Sequence, residues 1–525
     1  MNREGIKIRK KSSFILFVLF LWVTSMLVAY GEPLFAAELN PRYGGTFKFS
    51  DVWDGVSIGY PSKNSRFFAF RQVTPAIETL LRSDRTGKPV PWLVTGIKEN
   101  AAAKTITLTL RKEVKFHDGT DFNAEAVKWN LTQSMSVKSP GTEKLMSVDV
   151  IDDYTVRINL TEWDNTVISN LAQALGMMIS PTAYKKNGEE WCAKNPVGTG
   201  PFQFVSWEKD VRTVYKKFDG YWQKGKPYLD RIEYIPIGDL LTRQFSFMKG
   251  ELDLVLTVAA KDVAAFEKDG YVMSRSRIGS GATALVPDSA NPKSPFANIK
   301  VRQALQYAID SETIAKTIYF DQVEPTNQWI YKEHWGYNPS VVGYSYNPAK
   351  AKQLLAEAGF PNGFKTKLLY RTTPEWDKTF IAVQGFLKAV GIDAELDPSQ
   401  VGRYDQIVLQ GGKWEGLICN SVSPFPDVAA GLNMMYSGGG KYFSQMLAPD
   451  DYVRAIKNAV TAPDFETKQK WTQEAMKLMT DKYCLQIPIF SRSDLGVSRT
   501  SLHNHGFCGT PNTTFWTPED AWIEQ

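Results

Sequence analysis

Residues 104–135 read "KTITLTLRKEVKFHDGTDFNAEAVKWNLTQSM". The first part alternates apolar and polar residues as far as Phe116, which is the period-two pattern of a half-buried strand. Asp118 and Gly119 supply a turn. Beyond it Val127, Leu131 and Met135 recur four apart, one face of a helix that Asn123 can cap. A strand, a turn and a capped amphipathic helix make the building unit of an α/β protein, and the pattern continues on both sides. "GGTFKFS" (44–50) opens as a strand, and "DDYTVRINL" (152–160) alternates again. These strands are two-sided, so the first sheets should be partly antiparallel.

The second half carries clearer helix punctuation. "NPAKAKQLLAEAG" (347–359) offers Asn347 as a cap, Pro348 in the first turn, Ala351, Leu354, Leu355 and Ala358 on one face, and Gly359 as a stop. "IKVRQALQYAI" (299–309) spaces Val301, Leu305 and Ile309 four apart, and Ser311 can cap a following helix that turns Ile314 and Ile318 inward. "IAVQGFLKAVG" (381–391) runs from a helix into the strand "IDAEL". Helices packed on a sheet are expected here. "GATALVPDSANPKSP" (281–295) separates the two textures and reads as a first crossing between lobes, with "IPIFSRSDLGV" (487–497) as the second. Two crossings make a hinge.

The chain has 525 residues, 43% hydrophobic and 22% charged, with no low-complexity tract or evident repeat. That is too long for one core, so two lobes or more are expected. Residues 1–37 show a basic head, an apolar run from Phe14 to Val23 that resumes after Ser25, and small residues at Ala36 and Ala37. This is the layout of a cleaved secretory signal, with an uncleaved membrane anchor as the alternative. Without that segment the formal charge falls from +5 to +2. No dense basic face remains for nucleic acid. The four cysteines, Cys192, Cys419, Cys484 and Cys508, lie outside the signal and form no C-x-x-C pair, which excludes a lipid-bearing first mature cysteine and argues against redox or zinc sites. Cys484 and Cys508 are nearest in sequence and are the expected disulfide in an oxidising compartment.

Five stretches resemble, in order, the extracellular solute-binding proteins of ABC importers that take up dipeptides, oligopeptides and nickel. They are "GKPVPWLVTGIKEN" (87–100), "LRKEVKFHDGTDFNAEAVKWNL" (110–131), "NPVGTGPFQFVSWEKD" (195–210) with "FDGYW" after it, "SPFANIKVRQALQYAIDSETI" (294–314) and "YNPAKAKQLLAEAGFPNGF" (346–364). The resemblance implies an α/β, two-lobed periplasmic-binding-protein fold with a hinged inter-lobe cleft. Lobe I would take residues 38–284 with an inserted subdomain at about 85–195, lobe II residues 285–490, and a tail, 491–525, would return to lobe I. It implies solute capture in the cleft, delivery to membrane permease subunits, a periplasmic monomer and no cofactor. His117 reads as a turn residue rather than a metal ligand, and Gly198 and Gly200 as packing positions, since no phosphate-loop ending follows them.

Ligands of such sheets sit beyond the strand ends. "FSDVWDGVSIGYP" (49–61) follows the first strand and offers Trp53, Asp54 and Tyr60. "LLYRTTPEWDK" (368–378) offers Arg371, near where peptide-binding members place an arginine for the ligand carboxylate. "EGLICNSVSPFPD" (415–427) ends a strand where those members carry an aspartate for the ligand's α-amine. This chain has Asn420 and Ser421 there, with Asp427 the one nearby acid. An ammonium group buried without a counter-charge costs several kcal/mol, so a solute lacking a free α-amine is expected to bind better than a simple dipeptide. A sensor or chaperone-like peptide binder uses the same fold. A secreted hydrolase would need a nucleophile with a base, paired carboxylates or a metal set; no H-E-x-x-H is present, and the one G-x-S-x-G string, residues 55–59, lies in the loop already read as a cleft wall.

Overall fold

The computed structural model describes residues 40–61, 70–276, 281–420, 427–438, 442–507 and 515–524. The expected signal segment, Ser421 and Cys508 therefore lie outside the described residues. Among the described residues no helix is long and apolar enough to cross a membrane.

The opening stretch folds largely as read. Thr105–Leu110 is a strand that buries Ile106, Leu108 and Leu110 on one face. It ends sooner than the alternation does, because Glu113 takes φ 62° and the chain turns, leaving one bridge between Lys115 and Asp121. Asn123 caps the helix Ala124–Ser136 by accepting from the Ala126 N–H at 3.0 Å. The strand joins Val94–Asn100, Thr155–Leu160 and Leu145–Asp152 in a four-stranded antiparallel sheet, the centre of the insert. His117 is a packing residue: its Nε2 meets the Gly200 carbonyl at 2.9 Å, and burial pushes its pKa down to about 4. An added Cβ would lie 2.2 Å from the Ala76 carbonyl oxygen at Gly198 and 2.5 Å from that of Pro75 at Gly200.

Lobe I is a seven-stranded sheet in the order Val272–Ser276, Asp494–Ser498, Leu254–Leu256, Thr46–Ser50, Arg231–Tyr234, Arg212–Lys217, Phe202–Glu208. Thr46–Ser50 runs parallel to both its neighbours and the outer pairings are antiparallel, the mixture expected. Lobe II is a six-stranded sheet: Glu324–Pro325, Ile487–Ser491, Ala282–Pro287, Leu417–Asn420, Phe364–Arg371, Ile392–Ser399. Its helices pack as the punctuation predicts, with Asn347 capping at Lys350 N (2.9 Å) and Gly359 at φ 93° after the last turn. Asp310 rather than Ser311 caps Ser311–Tyr319, accepting from the Thr313 N–H at 3.0 Å.

The chain passes between the sheets twice, between Ser276 and Ala282 and between Ser491 and Asp494. The first passage is tighter than the Gly/Pro-rich stretch 281–295 suggests, since Ala282–Pro287 is already a wholly buried strand of lobe II. The tail returns to lobe I, where Phe507 stacks on Phe49 at 4.8 Å. Cys484 lies in lobe II as a buried thiol, and its expected partner Cys508 lies outside the described residues. Between the two positions, Ile487–Ser491 and Asp494–Ser498 carry the chain from one lobe to the other.

Candidate solute cleft

Strand directions fix where the two sheets face each other. In lobe I, Ser50, Tyr234, Leu256 and Ser276 are carboxyl ends on one edge, and the antiparallel strand beginning at Asp494 starts there too. In lobe II, Arg371, Ser399, Asn420 and Ser491 are carboxyl ends on one edge, where Ala282 begins the opposed strand. Both passages join these two edges. The loops leaving them therefore border the cleft, the position in which strand-end ligand sites form.

The lobe I wall is built on buried ion pairs. Asp51, one residue past its strand, accepts from Arg71 at 3.0 Å and from the Thr257 hydroxyl at 3.1 Å. Arg71 also reaches Asp494 at 2.8 Å, tying the loop to the first residue after the second passage. Asp54 is occupied: it accepts from Gln72 Nε2 at 2.6 Å and from Trp207 Nε1 at 3.1 Å, which anchors the loop to the hairpin 202–217. Tyr60 is a core residue, packed on Tyr184 at 5.5 Å between ring centres. Trp53 is presented outward, 46% exposed.

In lobe II, Arg371 closes its strand exposed, with no ion pair among the described residues. Asn420 closes the next strand buried, its amide donating to the Tyr436 hydroxyl. Tyr436 meets Trp329 edge-on at 5.0 Å and stacks on Phe443 at 5.2 Å. The Trp329 indole N–H is buried and has no acceptor among the described residues. Asp427 does not face the cleft as a free acid: it caps the helix Val428–Tyr436 at Ala430 N (3.0 Å), accepts from the Ser169 hydroxyl at 2.6 Å and pairs with buried Lys468. Burial pushes its carboxyl up, but the Lys468 charge and these hydrogen bonds outweigh that and hold it below the usual range.

Of the residues expected from the sequence, the structure brings Trp53, Arg371 and Asn420 to the facing edges and gives Asp54, Tyr60 and Asp427 other partners. The Asp51–Arg71–Asp494 chain and the Trp329–Tyr436 pair were missed. Asp51 stands directly after a strand and was legible; Arg71 and Trp329 lie in no motif. Among the described residues no group of three His, Cys, Asp or Glu side chains is placed to hold a metal ion.

The family model described as "Bacterial extracellular solute-binding proteins, family 5 Middle" matches residues 88–443. The glutathione-binding protein GsiB of Salmonella choleraesuis is 34% identical over 398 residues, covering 74% of this chain and 75% of its own. That of Pectobacterium atrosepticum is 32% identical over 360 residues, 66% of each chain. The ABC transporter-associated periplasmic binding protein DppA from Helicobacter pylori, solved with the peptide STSA, superposes with TM-score 0.71 at 23% identity over 92% of this chain and 99% of its own. The chain belongs to the family 5 extracellular solute-binding proteins of ABC importers, with their two-lobed fold. These relatives are binding proteins, not enzymes.

Proposed function

We propose that the chain is exported behind residues 1–37, captures a peptide-like or other small organic solute as a monomer in the periplasm, and hands it to the permease subunits of an ABC importer. The boundaries proposed are 38–284 and 491–525 for lobe I, with its insert at about 85–195, and 285–490 for lobe II. One observation carries the ligand class. The lobe II edge presents the Arg371 cation and the neutral Asn420, while Asp427, the first acid after the Asn420 strand, is taken up by Lys468 and Ser169. Such a wall suits a carboxylate, which the planar guanidinium fork can grip with both oxygens, and leaves a lone ammonium without a counter-charge. The curated relatives named for glutathione supply the first candidate, a γ-linked tripeptide with two carboxylates, whose α-ammonium brings its own counter-charge in the carboxylate on the same carbon. N-blocked peptides and organic acids fit the same wall.

Thermal-shift screening of the mature chain tests this. Glutathione or an N-acylated peptide should raise the melting temperature by several degrees and Ala-Ala should not; the reverse pattern contradicts the proposal. Arg371→Ala should weaken the bound solute about 10- to 100-fold, the loss of a charge-assisted hydrogen-bond pair, at unchanged melting temperature.

A further inference from the structure

Besides the two chain passages, the lobes meet at a third place. Asn165 of the insert sits at the carboxyl end of the lobe II helix Asp450–Val460, whose last carbonyls have no partner within the helix. Its side-chain amide donates to the carbonyls of Ala459 and Ala462 at 2.9 and 3.0 Å, and its backbone N–H donates to Val460 at 3.0 Å. Trp163 Nε1 donates to Ala462 O at 2.9 Å. Ser169 donates to Asp427 at 2.6 Å, and from the other side the Trp335 N–H donates to Thr86 O at 3.0 Å.

The direct bonds across this contact are all polar, and only scattered apolar side chains flank them. The insert's apolar cluster, which includes Trp163, and the lobe II cluster, which includes Val428 and Val460, do not merge across it. A void of about 90 Å³ remains between the faces, lined by charged groups, Glu99, Asp464 and Lys468, and by the apolar Ile97, Ile168 and Phe465. Groups of this kind lose less when they part than a shared core does, because water replaces each hydrogen bond and little apolar surface is uncovered. The insert's seam with lobe I is the opposite case, with Met177 and Ile179 sharing one core with Phe47 and Phe49.

We infer that this contact is a clasp that forms when the lobes close and parts when they open, and that Asn165 and Trp163 are positioning residues for solute capture. The inference rests on the solute-receptor reading. A ligand bridging both lobes selects the closed state, so each hydrogen bond made only there adds to affinity without touching the solute. The clasp also couples the cleft to the insert, since Asp427 follows the loop leaving the Asn420 strand and is held from across the contact by Ser169.

Hydrogen exchange on the solute-free full chain tests this. Asn165→Ala removes two side-chain bonds; the Trp335 amide, on a separate segment, should then exchange about 3- to 10-fold faster because the clasp opens as a unit. Trp163→Phe keeps the ring, removes one bond and should shift exchange in the same direction by less, which decides the matter if the alanine variant fails to fold. With glutathione as the probe, Kd should weaken by a similar factor through faster dissociation. Unchanged Trp335 exchange in both variants overturns the proposal, as does accelerated exchange with unchanged Kd. If glutathione does not bind the unsubstituted chain, the ligand assignment fails and the exchange result still decides the clasp.

Discussion

The insert has two faces, and they are held by different physics. Toward lobe I it is fused: Met177 and Ile179 are buried in the lobe I core, and Glu78 joins the two by accepting from Trp92, Thr199 and Tyr221, each at 2.9 Å. Toward lobe II it is hydrogen-bonded across a small void, with no shared core. An apolar seam loses area-proportional stability when opened, whereas a polar contact exchanges one set of hydrogen bonds for another. The insert should therefore move with lobe I and slide free of lobe II.

Substitutions should divide along that line. Ile179→Ala, at the fused seam, is expected to cost about 2–5 kcal/mol in denaturant unfolding through the cavity it leaves, with solute affinity preserved in the fraction that folds. Burial pushes Glu78 up to about 7, against an ordinary value of 4.5, with Arg82 opposing. The folded chain thus holds a proton on Glu78 that the unfolded chain releases above its ordinary value. The contribution, about 3 kcal/mol, is present below pH 4.5 and lost as the pH rises through 7. Glu78→Gln should flatten that slope in unfolding measured from pH 4.5 to 7.5; an unaltered slope assigns it elsewhere. Gly198→Ala should cost about 1–3 kcal/mol, since its Cβ would lie 2.2 Å from Ala76 O in the same seam. Reductant should leave the melting temperature where it is, because Cys192, Cys419 and Cys484 are buried free thiols.

The seam and the cleft differ as well in how far the sequence reveals them. Strand ends are local: alternation stops, a turn residue follows, and Arg371 and Asn420 can be placed at the edge from a dozen residues each. The helix caps at Asn123 and Asn347 were equally local. The clasp was not legible, because Asn165 and Ala462 are 297 positions apart and neither stands in a motif. Asp427 misled for the same reason. Its nearest surroundings suggest a replacement for a missing ligand-binding acid, while its actual partners are Lys468, 41 positions later, and Ser169, 258 earlier.

One experiment tests the contrast most directly. Amide exchange should be followed with and without the solute that gives the largest thermal shift, comparing Asn165 and Trp335, whose N–H groups cross the clasp, with Met178, which donates to Glu78 O at 3.0 Å within the fused seam. Bound solute is predicted to slow Asn165 and Trp335 several-fold and to leave Met178 unchanged. Equal slowing at all three positions, or none at the clasp while solute is bound, would contradict the account.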